Sequence, residues 1–248
     1  MGTGNAGSVR ITKVFERWEK KYLISRDKCF EIRRALLECM DEDEFGLSTV
    51  CSLYYDTDDF RLIYNSIEKP LYKEKFRLRC YGVPDDDTQV FAEIKKKYDG
   101  IVYKRRVTAP YHEMMEFING AHDLERDIQI QREIRYMLAR TKIHPACYVA
   151  YDRYALKDRE GRDVRITFDL NARFRTYDLD LMKGDHGTPI EDNDLCIMEM
   201  KLGQGAPMWL VDVLNRMELS PGTYSKYGTV YKKHIFPKLK ESAGAEVI

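Results

Sequence analysis

The sequence predicts an α+β fold that consists of one antiparallel β-barrel with helices packed outside it and across its ends. The main observation is that several segments alternate charged and apolar residues, because neighbouring side chains of a strand point to opposite faces. In the clearest segment, 73–79, the residues Lys73, Lys75, Arg77 and Arg79 share one face. Three later segments repeat this alternation, namely 92–95, 164–169 and 198–202.

An antiparallel sheet with one solvated face would show the same alternation, and this is the simpler interpretation. Solvated faces usually mix neutral and charged residues, whereas Arg and Lys dominate here with isolated carboxylates among them. We therefore favour a barrel whose interior is lined with charge and is wide enough to hold a ligand.

The elements of the first half of the chain follow from caps, β-propensity and turn residues. Ser25 can cap a helix that follows the first strand, and Asp99-Gly100 between two alternating runs is a strong hairpin signal. The expected strands are 14–23, 50–55, 71–81, 90–97 and 101–108, and the expected helices are 25–40 and 58–66.

The second half is predicted in the same way. Asn119-Gly120 divides 111–141 into two helices, Glu160-Gly161 separates two strands, and Pro207 begins a helix. The expected strands are 147–157, 164–173 and 194–202, and the expected helices after the first two are 207–217 and 224–236.

Nothing in the composition divides the chain, so we expect a single domain over 13–238 between flexible ends at 1–12 and 239–248. The N-terminus lacks the apolar core of a signal peptide, and no apolar run approaches the length of a membrane span. These observations predict a cytoplasmic protein with no membrane segment of its own. The six cysteines show no metal-ligand spacing, which fits a reducing compartment.

The balance of charge excludes one class of partner and favours another. The chain has 41 basic and 41 acidic residues, whereas a nucleic-acid binder usually has an excess of basic ones, so we expect no nucleic-acid partner. A row of Arg and Lys matches a chain of phosphates, because Arg offers parallel donors and Lys a mobile charge. Carboxylates beside phosphates are explained if a divalent cation lies between their oxygens.

Seven short motifs follow one another along the chain. They are EKKY at 19–22, YYDT at 54–57, RLRCYG at 77–82, FAEIK at 91–95, RITFD at 165–169, MEMKL at 198–202 and SKY at 225–227. In this order they resemble the VTC domain, the catalytic domain of the polyphosphate polymerases, within the triphosphate tunnel metalloenzymes, from about residue 14 to 236. The resemblance implies a tunnel of eight antiparallel strands in which the γ-phosphoryl group of ATP is transferred to a growing polyphosphate chain.

The resemblance also implies roles for individual residues. The metal would be Mn²⁺ or Mg²⁺, and we expect Arg77 and Arg79 to face water inside the tunnel. Either Arg153 or Arg165 would add a phosphate contact, and Lys226 would lie at the exit or the end wall. The implied phosphate and ATP contacts are Lys21, Arg77, Arg79, Lys95, Lys104, Lys201 and Lys226, and the implied metal ligands are Glu199 and Glu93.

Three functions are compatible with these expectations. The first is a metal-dependent polyphosphate polymerase that uses ATP and polyphosphate, and any coupling to translocation would need a separate membrane-protein partner. The second is a hydrolase of tripolyphosphate or nucleoside triphosphates, because fold alone does not determine function. The third is a non-catalytic module that binds polyphosphate or inositol phosphates, which the inward carboxylates disfavour.

Overall fold

The computed structural model describes residues 18–125, 127–192, 194–203 and 205–245, without the side chains of 242–245. The strands are β1 Trp18–Ser25, β2 Met40–Glu42, β3 Ser48–Asp56, β4 Tyr72–Tyr81, β5 Gln89–Tyr98, β6 Ile101–Pro110, β7 His144–Asp158, β8 Val164–Arg175, β9 Thr188–Pro189 and β10 Leu195–Leu202. The helices are α1 Arg26–Leu36, α2 Arg61–Ile67, α3 Tyr111–Ile118, α4 Ile128–Thr141, α5 Met208–Arg216, α6 Lys226–Val230 and α7 Phe236–Ala245, and a π-helical turn over Tyr231–Ile235 joins the last two.

All strands belong to one antiparallel sheet. Eight of them follow the order β1-β10-β8-β7-β3-β4-β5-β6, while β2 adds to β7 and β9 adds to β8. This order confirms the predicted α+β class with an eight-stranded antiparallel path.

The expected closed barrel is wrong in one respect, because the described residues of β1 and β6 do not pair. The sheet still curls, since Lys95 on β5 interacts electrostatically with Glu19 and Lys21 on β1, which lies far along the strand order. The edge of β1 that faces away from β10 forms a backbone hydrogen bond with a loop instead. The N–H of Gly222 donates to the carbonyl oxygen of Lys21 at 2.7 Å. The loop before α6 therefore occupies part of the edge that would close the barrel.

Local signals locate most elements correctly. The β5–β6 turn is formed by Asp99 and Gly100 with φ of 44° and 82°, which confirms the predicted hairpin. The Ser25 hydroxyl accepts a hydrogen bond from the Lys28 N–H, but α1 ends at Leu36 because the chain enters β2 at Met40. Of the predicted tail 239–248, the residues up to 245 continue helix α7, whereas the predicted flexible segment 1–12 lies outside the described residues.

Helices cover the outer face of the sheet on two sides. Helices α3 and α4 pack with the apolar face of β4 to β6, and α1 and α5 pack with that of β1, β8 and β10. Helix α6 instead packs on the inner face of β3 and β7, where Tyr227 stacks on Tyr54 with ring centroids 4.7 Å apart. The remaining inner face carries the charged residues. No described helix has the length and apolar character needed to span a bilayer.

Candidate functional site

The charged face of the sheet is centred on β4 and β5. On β4, Lys75, Arg77 and Arg79 alternate with buried Phe76 and Leu78, which hold the strand against the outer helices. This packing determines which face of β4 each side chain occupies, because a shift of the strand register by one residue would bury every cation.

The β4–β5 register places Lys95 opposite Lys75 and Glu93 opposite Arg77. The structure therefore brings the predicted residues of these two strands together on one concave surface, which we call the tunnel face. Lys104 joins them from β6, where it lies opposite Lys95.

Three carboxylates of the tunnel face each lie between two cations. Glu93 contacts Arg77 at 2.7 Å and Lys104 at 2.5 Å. The other two groups are Asp169 with Arg153 at 2.6 Å and Lys226 at 2.6 Å, and Glu199 with Lys201 at 2.8 Å and Lys21 at 3.7 Å. We call these three groups the carboxylate trios. Each one holds two cationic side chains in place, and a fourth carboxylate, Glu19, lies 3.4 Å from Lys21.

Lys75, Arg79 and Lys95 are cations of the tunnel face that have no carboxylate partner among the described residues. Lys75 and Lys95 form no ion pair, and Arg79 donates only to the Ser52 hydroxyl at 3.0 Å and the Tyr151 hydroxyl at 3.2 Å. Burial lowers the pKa of Lys75 to about 8; the nearby Tyr54 opposes this shift, and repulsion from Lys73 and Lys95 adds to it. Unpaired, partly desolvated cations are poised to bind an anion.

Lys75 is a residue that the sequence-based site assignment missed. It shares the parity of Arg77 and Arg79, and this shared parity was the available signal. Tyr54 was missed as well, and its hydroxyl accepts a hydrogen bond from Arg77 at 3.0 Å. Burial raises the pKa of Tyr54, but the positive charges of Arg77 and Arg79 outweigh it and bring the value to about 8.

The structure distinguishes the two arginines between which the sequence could not choose. Arg153 forms a two-point contact with the buried carboxylate of Asp169 on the tunnel face. Arg165 is more exposed and pairs at 2.9 Å with Asp43, which follows β2. Arg153 therefore lies among the other tunnel cations, whereas Arg165 lies at the rim.

Lys226, at the start of α6, lies over the ring of Tyr151, with Nζ 4.0 Å from the ring centroid. Because α6 packs on the inner face of the sheet, this lysine lies on that face beside Asp169 and Arg153. Its ion pair with Asp169 holds the lysine side chain against the inner face of the sheet.

The acids of the site are ionised at neutral pH. Burial opposes ionisation of Glu93, but Arg77, Arg79 and Lys104 lower its pKa to about 2. Lys201 and Lys21 outweigh burial in the same way at Glu199, whose pKa is also lowered to about 2. Both carboxylates are therefore available as charged oxygen ligands or ion-pair partners.

The two predicted metal ligands differ in how well they fit a metal ion. Among the described residues, no three His, Cys, Asp or Glu side chains form a cluster that could hold a metal. Glu93 is 3% exposed, and both its oxygens are engaged by cations. The oxygens of Glu199 are also engaged, by Lys201 at 2.8 Å and Lys21 at 3.7 Å, but Glu199 is 14% exposed. The buried hydroxyl of Thr167, opposite it on β8, has no hydrogen-bond partner among the described residues. This pair of oxygen donors fits Mg²⁺ or Mn²⁺, which can take most of its ligands from phosphate and water.

The fold and the site define a curled antiparallel sheet protein with a row of cations on the concave face of the sheet. The chain belongs to the VTC domain family, whose sequence profile matches residues 16–235.

A curated relative is subunit 4 of the vacuolar transporter chaperone complex of Schizosaccharomyces pombe. It is 21% identical over an alignment of 262 positions, which covers 86% of this chain and 36% of the relative. The chain therefore spans about a third of the length of that relative.

Two solved structures share part of the arrangement. One, from Hippeastrum, is described as a candidate adenylyl cyclase with a dominant triphosphatase activity; it has 14% identity, a TM-score of 0.48, and coverage of 86% of this chain and 94% of that one. The other, a candidate adenylate cyclase from Vibrio parahaemolyticus, has 12% identity, a TM-score of 0.45, and coverage of 86% and 97%. These likenesses are too weak to support an argument about function.

Proposed function

We propose that this protein is an ATP-dependent polyphosphate polymerase that transfers the γ-phosphoryl group to the end of a polyphosphate chain. The observation that carries the proposal is the set of unpaired cations on the tunnel face, Lys75, Arg79 and Lys95. Membership of the VTC domain family supports the choice of a phosphate chain as their ligand.

The reaction needs positioning and neutralisation of charge more than covalent help from the protein. A terminal oxygen of the acceptor chain attacks the γ-phosphorus, the bond to the β-phosphate oxygen breaks, and ADP leaves. The attacking oxygen is already ionised, so no protein base is required. Arg79, Lys75 and Lys95 reduce the repulsion between donor and acceptor phosphates, while the trio around Glu93 holds Arg77 and Lys104 beside them.

A bound Mn²⁺ or Mg²⁺ would neutralise phosphate charge further, and Glu199 is the described carboxylate best placed to hold it. The two cations beside Glu199, Lys21 and Lys201, keep that carboxylate oriented toward the tunnel face.

The proposal is tested by incubating the protein with ATP and either Mn²⁺ or Mg²⁺ and separating the products by gel electrophoresis. We expect a ladder of polyphosphate and an equivalent amount of ADP, and a yield of both that is lower by more than about tenfold from the Arg79→Ala variant. Release of orthophosphate alone would identify a hydrolase. Tight binding of polyphosphate without turnover would identify a non-catalytic module.

The curated relative is named as a subunit of a vacuolar transporter chaperone complex. We propose by analogy that this chain passes its product to a membrane-protein partner. Because the chain spans only 36% of that relative, the partner must be sought experimentally, by crosslinking in the native host.

A further inference from the structure

One end of the sheet combines exposed apolar residues with lysines that form no ion pair among the described residues. The β5–β6 turn and the start of β4 bring together Leu71, Tyr72, Tyr98, Ile101 and Tyr103, all exposed, and we call this group the hairpin patch. Leu71 belongs to it because its carbonyl accepts a hydrogen bond from the N–H of Asp99 in the turn.

Near the same ends of β4 and β5, lysines lie on the face of the sheet opposite to the hairpin patch. Lys73 and Lys97 are directly paired across β4 and β5, with the parity of the tunnel face. Burial and then repulsion from Lys97 and Lys69 lower the pKa of Lys73, which shows that the three charges are close neighbours. Lys73 donates a hydrogen bond to the carbonyl oxygen of Ser66 at 3.1 Å, and neither Lys73 nor Lys97 forms an ion pair with a carboxylate among the described residues.

A flat surface that touches the ends of these strands would meet both groups at once. Aliphatic side chains would enter an apolar layer, Tyr side chains suit the boundary between apolar and polar layers, and lysines would reach anionic groups. A bilayer that contains anionic lipids offers all three environments at matching depths.

We propose that the hairpin patch and the neighbouring lysines dock this protein on an anionic membrane surface. The charge of the chain supports a local contact, because a protein with zero formal net charge is not drawn to such a surface as a whole. Docking in this way points the lysine-lined end of the tunnel face toward the bilayer. The inference is independent of the proposed polymerase activity, since it concerns binding alone.

The test is flotation of the full chain with vesicles of phosphatidylcholine alone or of phosphatidylcholine mixed with phosphatidylserine. We expect binding only to the mixed vesicles, a loss of about tenfold in the Leu71→Ser/Ile101→Ser double variant, and a smaller loss in Lys69→Glu.

The matched control is the Phe45→Ser/Leu47→Ser double variant. These side chains are 67% and 55% exposed, against 62% and 53% for Leu71 and Ile101. They lie at the opposite end of the sheet, since Phe45 stacks on Tyr81, the last residue of β4. We expect the control variant to bind like the unmodified protein. Thermal melting confirms that each variant folds.

The inference is overturned if the unmodified protein binds neither vesicle type, or if the control variant loses binding as strongly as the patch variant. It is also overturned if Leu71→Ser/Ile101→Ser changes the oligomeric state in size-exclusion chromatography, because the patch would then be an interface between copies of this chain.

Discussion

Lys75 and Lys95 lie directly opposite each other on β4 and β5, and neither forms an ion pair with a described carboxylate. Burial lowers the pKa of both ammonium groups. Two facing cations that lack an anion destabilise the ligand-free protein. The strand pair is held in register by the apolar face beneath it, so packing energy maintains a site that favours an anionic ligand.

Lys75→Met should stabilise the ligand-free protein at neutral pH and weaken its binding of tripolyphosphate. The pKa of Lys75 falls from 10.5 to about 8 on folding, so the charged form costs stability below pH 8, and this cost disappears as the pH rises from 8 to 10.5. We expect a gain of about 1–3 kcal/mol in the free energy of unfolding and a loss of about tenfold in affinity. Calorimetric unfolding and titration measure the two effects.

The control for this variant is Lys20→Met, which removes an exposed lysine on the outer face of β1. It should change neither stability nor affinity. Destabilisation by Lys75→Met would show that the lysine has a structural partner instead.

Binding of tripolyphosphate should weaken as the pH rises through about 8. Lys75 loses its positive charge there, and Tyr54, whose pKa is also about 8, gains a negative charge. Each change weakens the electrostatic attraction for an anion, so both lower the affinity for tripolyphosphate. Isothermal titration between about pH 7 and 9.5 should show a steeper decline for the unmodified protein than for Lys75→Met/Tyr54→Phe. Parallel curves would contradict the assignment.

Arg77→Ala and Arg79→Ala should differ in stability although both lower turnover by more than about tenfold. The expectation that both side chains face water is wrong for Arg77, which binds Glu93 and the Tyr54 hydroxyl. Its removal leaves the buried Glu93 with Lys104 alone, which should cost about 3 kcal/mol. Arg79→Ala loses only contacts with neutral hydroxyls and should cost about 1 kcal/mol. Urea unfolding of both variants distinguishes these values.

Glu199→Gln should abolish metal-dependent turnover while retaining ATP binding, with little loss of stability, because Glu199 is the most accessible of the three trio carboxylates. Glu93→Gln is the comparison: it leaves Arg77 and Lys104 without their buried counter-charge and should unfold at a lower temperature. If Glu199→Gln remains active but melts as early as Glu93→Gln, then Glu199 serves the fold and not a metal ion.

The sequence alone predicts those parts of the fold and of the site that depend on the local alternation of residues and on turn residues. The alternation on β4 identifies Arg77 and Arg79, and the Asp99-Gly100 turn locates the β5–β6 hairpin. The contacts of Lys226 with Asp169 and of Lys21 with Glu199 could not be predicted, because they join segments distant in sequence. Asp56 illustrates the same limit: it lies in a family-like motif, yet its buried carboxylate binds the N–H groups of Leu62 and Ile63. It anchors the start of α2.

The zero net charge of the chain has a consequence when its charges are sorted in space. The tunnel face holds more cations than carboxylates, so the rest of the molecule must carry a net negative charge. We expect a wide, rigid polyanion such as a duplex to be repelled wherever it meets the outer surface away from the lysines at the ends of β4 and β5. A thin, unbranched anion would instead reach the tunnel face end-on, where the attraction is concentrated. If the proposed function holds, this distribution of charge favours polymers with a small cross-section.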